Sequence, residues 1–145
     1  MSDATRATIL FVDDSPTMRG MIRAALTQGG YDIVEAANGP AALALLQERD
    51  VQVILTDVNM PGMDGITFIR TVRQDPRFSR TPILALTTES AAEAKASGRA
   101  AGATGWVVKP FRPEELRQVV AKVLEKSQAL SPQPSAISPE RKPES

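Results

Sequence analysis

At 145 residues with 42% apolar content, the chain is long enough for one domain with a core of its own. It contains no cysteine and no histidine, which excludes disulfides, thiolate nucleophiles, Cys- or His-based zinc sites, histidine triads and any phosphohistidine of its own. Its 17 Lys and Arg balance 17 Asp and Glu, split 15 and 15 over residues 1–126 and two and two beyond, so no basic arm points to nucleic acid or to a membrane surface.

The opening residues 1–6 read as a short lead, with no basic stretch followed by an apolar one. The longest apolar run, Ala41 to Leu46, is far shorter than a membrane span, so the expectation is a cytoplasmic protein without membrane insertion. Thr8 to Val12, Val51 to Leu55 and Pro82 to Leu86 are short, nearly continuous apolar runs. Such runs suit strands covered on both faces of a parallel sheet. Tyr31 to Glu35 alternates like an edge strand, and Trp106 to Val108 is a fifth, shorter candidate.

Helical patterns fill the intervals. Ser15-Pro16 reads as N-cap and first helical residue, with Met18, Met21, Ile22 and Leu26 following at helical spacing. Asn38-Gly39-Pro40 opens a second helix through Leu43, Leu45 and Leu46, and Ile66, Ile69 and Val72 mark a third. Residues 90–101 are helical by their alanines, although Gly98 lies among them. Pro113, Leu116, Val119, Val120, Val123 and Leu124 form the clearest amphipathic stripe. Residues 127–145 hold four prolines and five serines and read as a disordered tail, leaving 7–126 as the domain. Five strand-helix units with right-handed crossovers predict a doubly wound α/β fold, a five-stranded parallel sheet with five helices. Ligands of such folds bind beyond the carboxyl ends of the strands.

At those ends stand Asp13-Asp14, Asp57 followed by Asn59, Thr87-Thr88-Glu89, and Lys109-Pro110. Three carboxylates brought together repel one another unless positive charge sits among them. Lys109 supplies one charge, and an all-oxygen site of this kind suits Mg²⁺. A carboxylate beside a metal, a lysine and a hydroxyl is equipped to attack phosphorus, and Asp57, on the central strand, is the best nucleophile.

Asp13-Asp14, Asp57, Thr87 and Lys109-Pro110 resemble the signature of the response-regulator receiver domain of two-component signalling, over roughly residues 7–126. The stretches Asp57 to Gly65 and Trp106 to Phe111 are most similar to stand-alone chemotaxis regulators of the CheY type. The resemblance implies a flavodoxin-like sheet in the order 2-1-3-4-5. It implies that Asp57 accepts a phosphoryl group from a histidine kinase or phosphotransfer protein. Asp14, Asp57 and the backbone carbonyl of Asn59 would ligate Mg²⁺, with Asp13 in the outer shell. Lys109 would pair with the phosphoryl group across a cis Lys109-Pro110 bond, Thr87 would move toward it, and the aromatic at 106 would turn inward. Such a protein is a phosphoacceptor switch rather than an enzyme, working only on its own phosphorylation and dephosphorylation. Its output would be a protein target on the Ser90–Lys126 face, with the chain itself a monomer.

Three positions depart from the common pattern or invite another reading. Trp106 stands where the family usually carries Tyr or Phe, Thr88 where a small residue is common, and Glu89 lies near the expected phosphate. The bulk of Thr88 would slow water reaching phospho-Asp57. The row Arg70, Arg73, Arg77 and Arg80, interrupted by Asp75, reads as a solvated face. Asp14 could serve only as part of a helix start. A dehalogenase-type phosphatase would need a second acid two residues after the nucleophile, where this chain has Asn59. A regulator of another phosphorelay, or an interaction module independent of phosphorylation, are the other readings of the same pocket.

Overall fold

The computed structural model describes residues 7–87 and 99–130, with side chains through 125. Five strands, β1 (Thr8–Val12), β2 (Asp32–Ala36), β3 (Val53–Asp57), β4 (Ile83–Thr87) and β5 (Gly105–Val108), form one parallel sheet in the order β2-β1-β3-β4-β5. The doubly wound architecture and its strand order are therefore as expected. β1 coincides with its apolar run, whereas β2, β3 and β4 sit one or two residues further along the chain than the segments read from the sequence. β3 begins at Val53 rather than Val51 and carries Thr56 and Asp57 inside the ladder, opposite Ala85 and Leu86 of β4. Pairing with β4, joined by β1 at Thr56, holds these polar residues in register regardless of their own propensity.

Helices α1 (Pro16–Gln28), α2 (Gly39–Glu48) and α3 (Gly65–Arg73) follow the first three strands. Each begins on a side-chain cap: Ser15 accepts from the Met18 amide, Asn38 from Ala41 and Asp64 from Thr67. These caps satisfy amides that the first helical turn leaves without partners. Residues 99–101 are helical; the rest of the expected 90–101 helix lies outside the described residues. The C-terminal helix (Pro113–Leu130) continues four residues beyond position 126.

Each sheet face carries its own core. Leu10, Val12, Ile54, Ile83 and Ala85 pack with Ala42 and Leu46 of α2 and with Phe68, Ile69 and Val72 of α3. Ile9, Phe11, Val53, Leu55, Leu84 and Leu86 pack with Ile22 and Leu26 of α1 and Leu116 and Val120 of the C-terminal helix. Alternate residues of one strand thus enter opposite cores, as the period of two requires.

The arginine row is not one solvated face, because Arg73 departs from it. Arg70, Arg77 and Arg80 are exposed. The half-buried Arg73 instead donates through Nη1 to the carbonyls of Phe78 and Thr81, both at 2.7 Å, and through Nε to that of Gly102 at 2.9 Å. It ties the end of α3 to the approaches of both β4 and β5. Gly102, at φ +112°, lies so close that an added Cβ would stand 2.7 Å from Arg73 Cγ.

Carbonyls stripped of a charged donor cost free energy. Arg73→Met is therefore expected to lose about 2–3 kcal/mol in a denaturant melt. Arg73→Lys should recover less than half of that, because an ammonium cannot reproduce the fork.

Candidate functional site

β1 and β3 are neighbours at the centre of the sheet, so their carboxyl ends bring Asp13, Asp14 and Asp57 to one place. One carboxylate oxygen from each lies within 4.8 Å of the other two. Asp13 and Asp57 are buried, at 1% and 5% exposure, whereas Asp14 is open to solvent. A donor set of three carboxylates, with one open edge for water, fits a hard divalent cation such as Mg²⁺.

Lys109 follows β5 and enters the cleft from the other side. Its Nζ stands 3.2 Å from Asp57 Oδ1 and 3.5 Å from Asp13 Oδ2. The Lys109 amide donates to the Thr87 carbonyl at 2.7 Å, and the Lys109-Pro110 peptide is cis, as the resemblance implied. Thr87, 2% exposed, ends β4 beside this bond.

Each acid has a different local support. Asp13 Oδ1 accepts the Ser15 amide at 2.8 Å, so Asp13, rather than Asp14, is the residue that bonds the start of α1. Asp57 Oδ1 accepts the Asn59 amide at 3.2 Å in addition to Lys109. Among the described residues no donor meets Asp57 Oδ2 within hydrogen-bonding distance. The Asp57 carboxyl is held above the usual carboxylate range, first by burial and then by the Asp13 charge, with Lys109 and the Asn59 amide pulling the other way.

Backbone packing under Asp57 is tight. The Thr56 hydroxyl donates to the Asp57 carbonyl at 3.0 Å, and the Gly65 amide donates to Val58 O at 2.9 Å. A Cβ on Gly65 would sit 2.1 Å from the Asp57 carbonyl oxygen. Only glycine permits this approach, a requirement visible in the sequence solely as an Asp64-Gly65 dipeptide at a helix start.

Trp106, paired with Ala85 across the β4–β5 ladder, is partly buried against the core that includes Ala101. It also lines a cavity of about 200 Å³ with Arg99, Ala103, Thr104 and Gly105. Thr88, Glu89 and residues 90–98 of the Ser90–Lys126 face lie outside the described residues.

The raised acid at Asp57 has a consequence for stability. Ionising it costs more in the fold than in the unfolded chain, so its contribution is fully present below the ordinary carboxylate pKa and is lost as pH rises through the raised folded value. Without divalent cation, Asp57→Asn should therefore melt above the wild type at pH 7, and this advantage should shrink toward pH 4. Calorimetric melting temperatures across that range check it.

Comparison with known proteins agrees with this geometry. Residues 9–121 match the family model described as the response regulator receiver domain. The chain is 40% identical over 118 residues to the chemotaxis protein CheY1 of Helicobacter pylori, covering 80% of this chain and 95% of that one. Among solved structures it is similar to the chemotaxis response regulator CheY4 of Vibrio cholerae, with 47% identity and a TM-score of 0.79 over 82% of this chain and 99% of that one. It is also similar to the receiver domain of the sensor histidine kinase PA1611 of Pseudomonas aeruginosa, which has a magnesium ion coordinated in its active site cleft; identity is 28% and the TM-score 0.77, over 83% and 99% of the two chains. With two buried aspartates and a lysine gathered at the strand ends, and a family model covering most of the chain, this protein belongs to the response-regulator receiver domains.

Proposed function

We propose that the chain is a CheY-type phosphoacceptor switch of two-component signalling, in which Asp57 takes a phosphoryl group from a partner protein's phosphohistidine. The observation that carries this reading is the shared lysine: Lys109 meets both buried carboxylates, and among the described residues Asp57 Oδ2 has no donor.

The chemistry is a displacement at phosphorus. An Asp57 carboxylate oxygen forms the new O–P bond as the P–N bond of the donor breaks, and the departing imidazole takes up a proton. This chain has no histidine, so that imidazole belongs to the donor, a histidine kinase or phosphotransfer protein. Lys109 neutralises charge that builds on the phosphoryl oxygens, and being already in place it does so without reorganisation. Burial of Asp57 limits competing water. Asp14, Asp57 and the Asn59 carbonyl are the residues to hold Mg²⁺, with Asp13 behind them. The cation supplies charge neutralisation for the crowded carboxylates and phosphoryl oxygens.

The signal then passes to Thr87 at the end of β4 and to Trp106, whose backbone neighbours β4 across the ladder. Thr88 and Glu89 take their place beside the phosphate, with Thr88 restricting water. The output is altered affinity for a protein target on the Ser90–Lys126 face, within the cytoplasm, in chemotaxis-type signalling, by a monomer that engages neither nucleic acid nor membrane. Among the described residues no helix is long and apolar enough to cross a membrane.

The test is intact-protein mass spectrometry with acetyl phosphate, with and without Mg²⁺. Wild type is expected to gain one phosphoryl group only with Mg²⁺, and Asp57→Asn none. Lys109→Gln should react about 10²-fold more slowly or worse, as expected when a preorganised charge is removed. Fluorescence of the sole tryptophan, Trp106, should change along with the mass. Phosphorylation surviving in Asp57→Asn would move the acceptor elsewhere.

A further inference from the structure

Asp13 is held at every polar atom. Its amide donates to the Ala36 carbonyl at 3.1 Å, Oδ1 accepts from Ser15, and Oδ2 faces Lys109. The remaining atom, its carbonyl oxygen, accepts Arg19 Nη1 at 2.7 Å. That carbonyl is half of the peptide plane joining Asp13 to Asp14. Asp14 is exposed and has no side-chain partner among the described residues, so its direction follows from the backbone on either side of it, this peptide plane and the Ser15 amide.

Arg19 is itself anchored. Its Nε lies 3.6 Å from Glu35 Oε1, and Glu35 is bound on its other oxygen by Arg23. Glu35 belongs to β2, whose register with β1 is fixed by the ladder. The guanidinium of α1 therefore spans from the sheet edge to the carbonyl between the two acids. The side chain is only 21% exposed, so the fork is confined rather than sweeping through solvent.

A cation beside a divalent metal site carries two opposed effects. Its charge repels the metal, and Glu35 offsets that charge. Its hydrogen bond orients a ligand, and Mg²⁺ tolerates little departure from octahedral geometry. We infer that Arg19 is a positioning residue for the Mg²⁺ site, acting through the Asp13 carbonyl to aim Asp14, with Glu35 as its anchor. This rests on the reading of the acidic cleft as a Mg²⁺ site.

Isothermal titration calorimetry with Mg²⁺ at 25 °C, on wild type, Arg19→Met and Arg19→Lys, separates the two effects, each variant first being shown by thermal melting to be folded at that temperature. Loss of an orienting partner outside the ligand shell typically weakens metal binding about 10–100-fold. Positioning therefore predicts that Arg19→Met binds Mg²⁺ that much more weakly, although it has lost a repelling charge. Arg19→Lys should weaken similarly, since one ammonium cannot meet both Glu35 and the Asp13 carbonyl. Arg23→Met, which touches Glu35 but not Asp13, serves as the control and should stay within about twofold of wild type. Tighter or equal binding by Arg19→Met, or wild-type binding by Arg19→Lys, overturns the inference. If Arg19→Met does not fold, the lysine variant decides alone. A wild type that binds no Mg²⁺ at millimolar concentration instead overturns the reading of the cleft itself.

Discussion

The repulsion between Asp13 and Asp57 is the constraint around which the rest of the cleft is built. Both are nearly inaccessible to solvent, and like charges brought this close repel one another unless positive charge is set between them. Lys109 answers them together, at 3.5 and 3.2 Å, and remains the one cationic side chain ion-paired to either acid among the described residues. Burial, with the Asp13 charge added to it, still holds Asp57 above its ordinary range even with a lysine beside it. A pocket so arranged is receptive to added positive charge and then to a phosphoryl group, whose oxygens Lys109 can follow.

That electrostatic arrangement survives because the backbone beneath it is unyielding. Asp57 sits within the β3 ladder instead of on a loose loop, paired across to Leu86. Its carbonyl is closed over by Gly65 at a distance no side chain would permit. On the β1 side, the Ser15 amide and the Arg19 guanidinium fix the Asp13 carboxylate and carbonyl separately. Further away, Arg73 ties the end of α3 to the segments that lead into β4 and β5. Ile83 and Thr104 meet there in two further hydrogen bonds. Strand ends held this firmly can deliver groups to fixed positions, which preorganised charge stabilisation demands.

Receiver domains couple phosphorylation to a change of surface, and the placement of Trp106 bears on that coupling. Its strand pairs with β4, which ends in Thr87, while Lys109 directly follows the strand's last residue, Val108. A shift at Thr87 or Lys109 therefore acts on the strand that carries the indole. The indole itself stands between the core and a small cavity lined by Arg99 and Thr104.

Local sequence determined the elements and the membership of the cleft. Continuous apolar runs announced strands buried on both faces, the Ser15 and Asn38 caps announced helix starts, and parallel topology alone sends Asp13, Asp14, Asp57, Thr87 and Lys109 to one edge. These features are legible because they depend on periodicity and on residues adjacent in the chain. Tertiary structure decided matters that depend on distance between remote segments. It placed Asp13 rather than Asp14 on the helix start, and buried one acid of that pair while exposing the other. It withdrew Arg73 from an otherwise solvated row and made Gly65 indispensable. It also aimed Arg19 at a carbonyl, while Glu35, sixteen residues later in the chain, holds it there. Neither an arginine's identity nor its spacing says which carbonyl it will meet, because that is set by how α1 packs against the sheet.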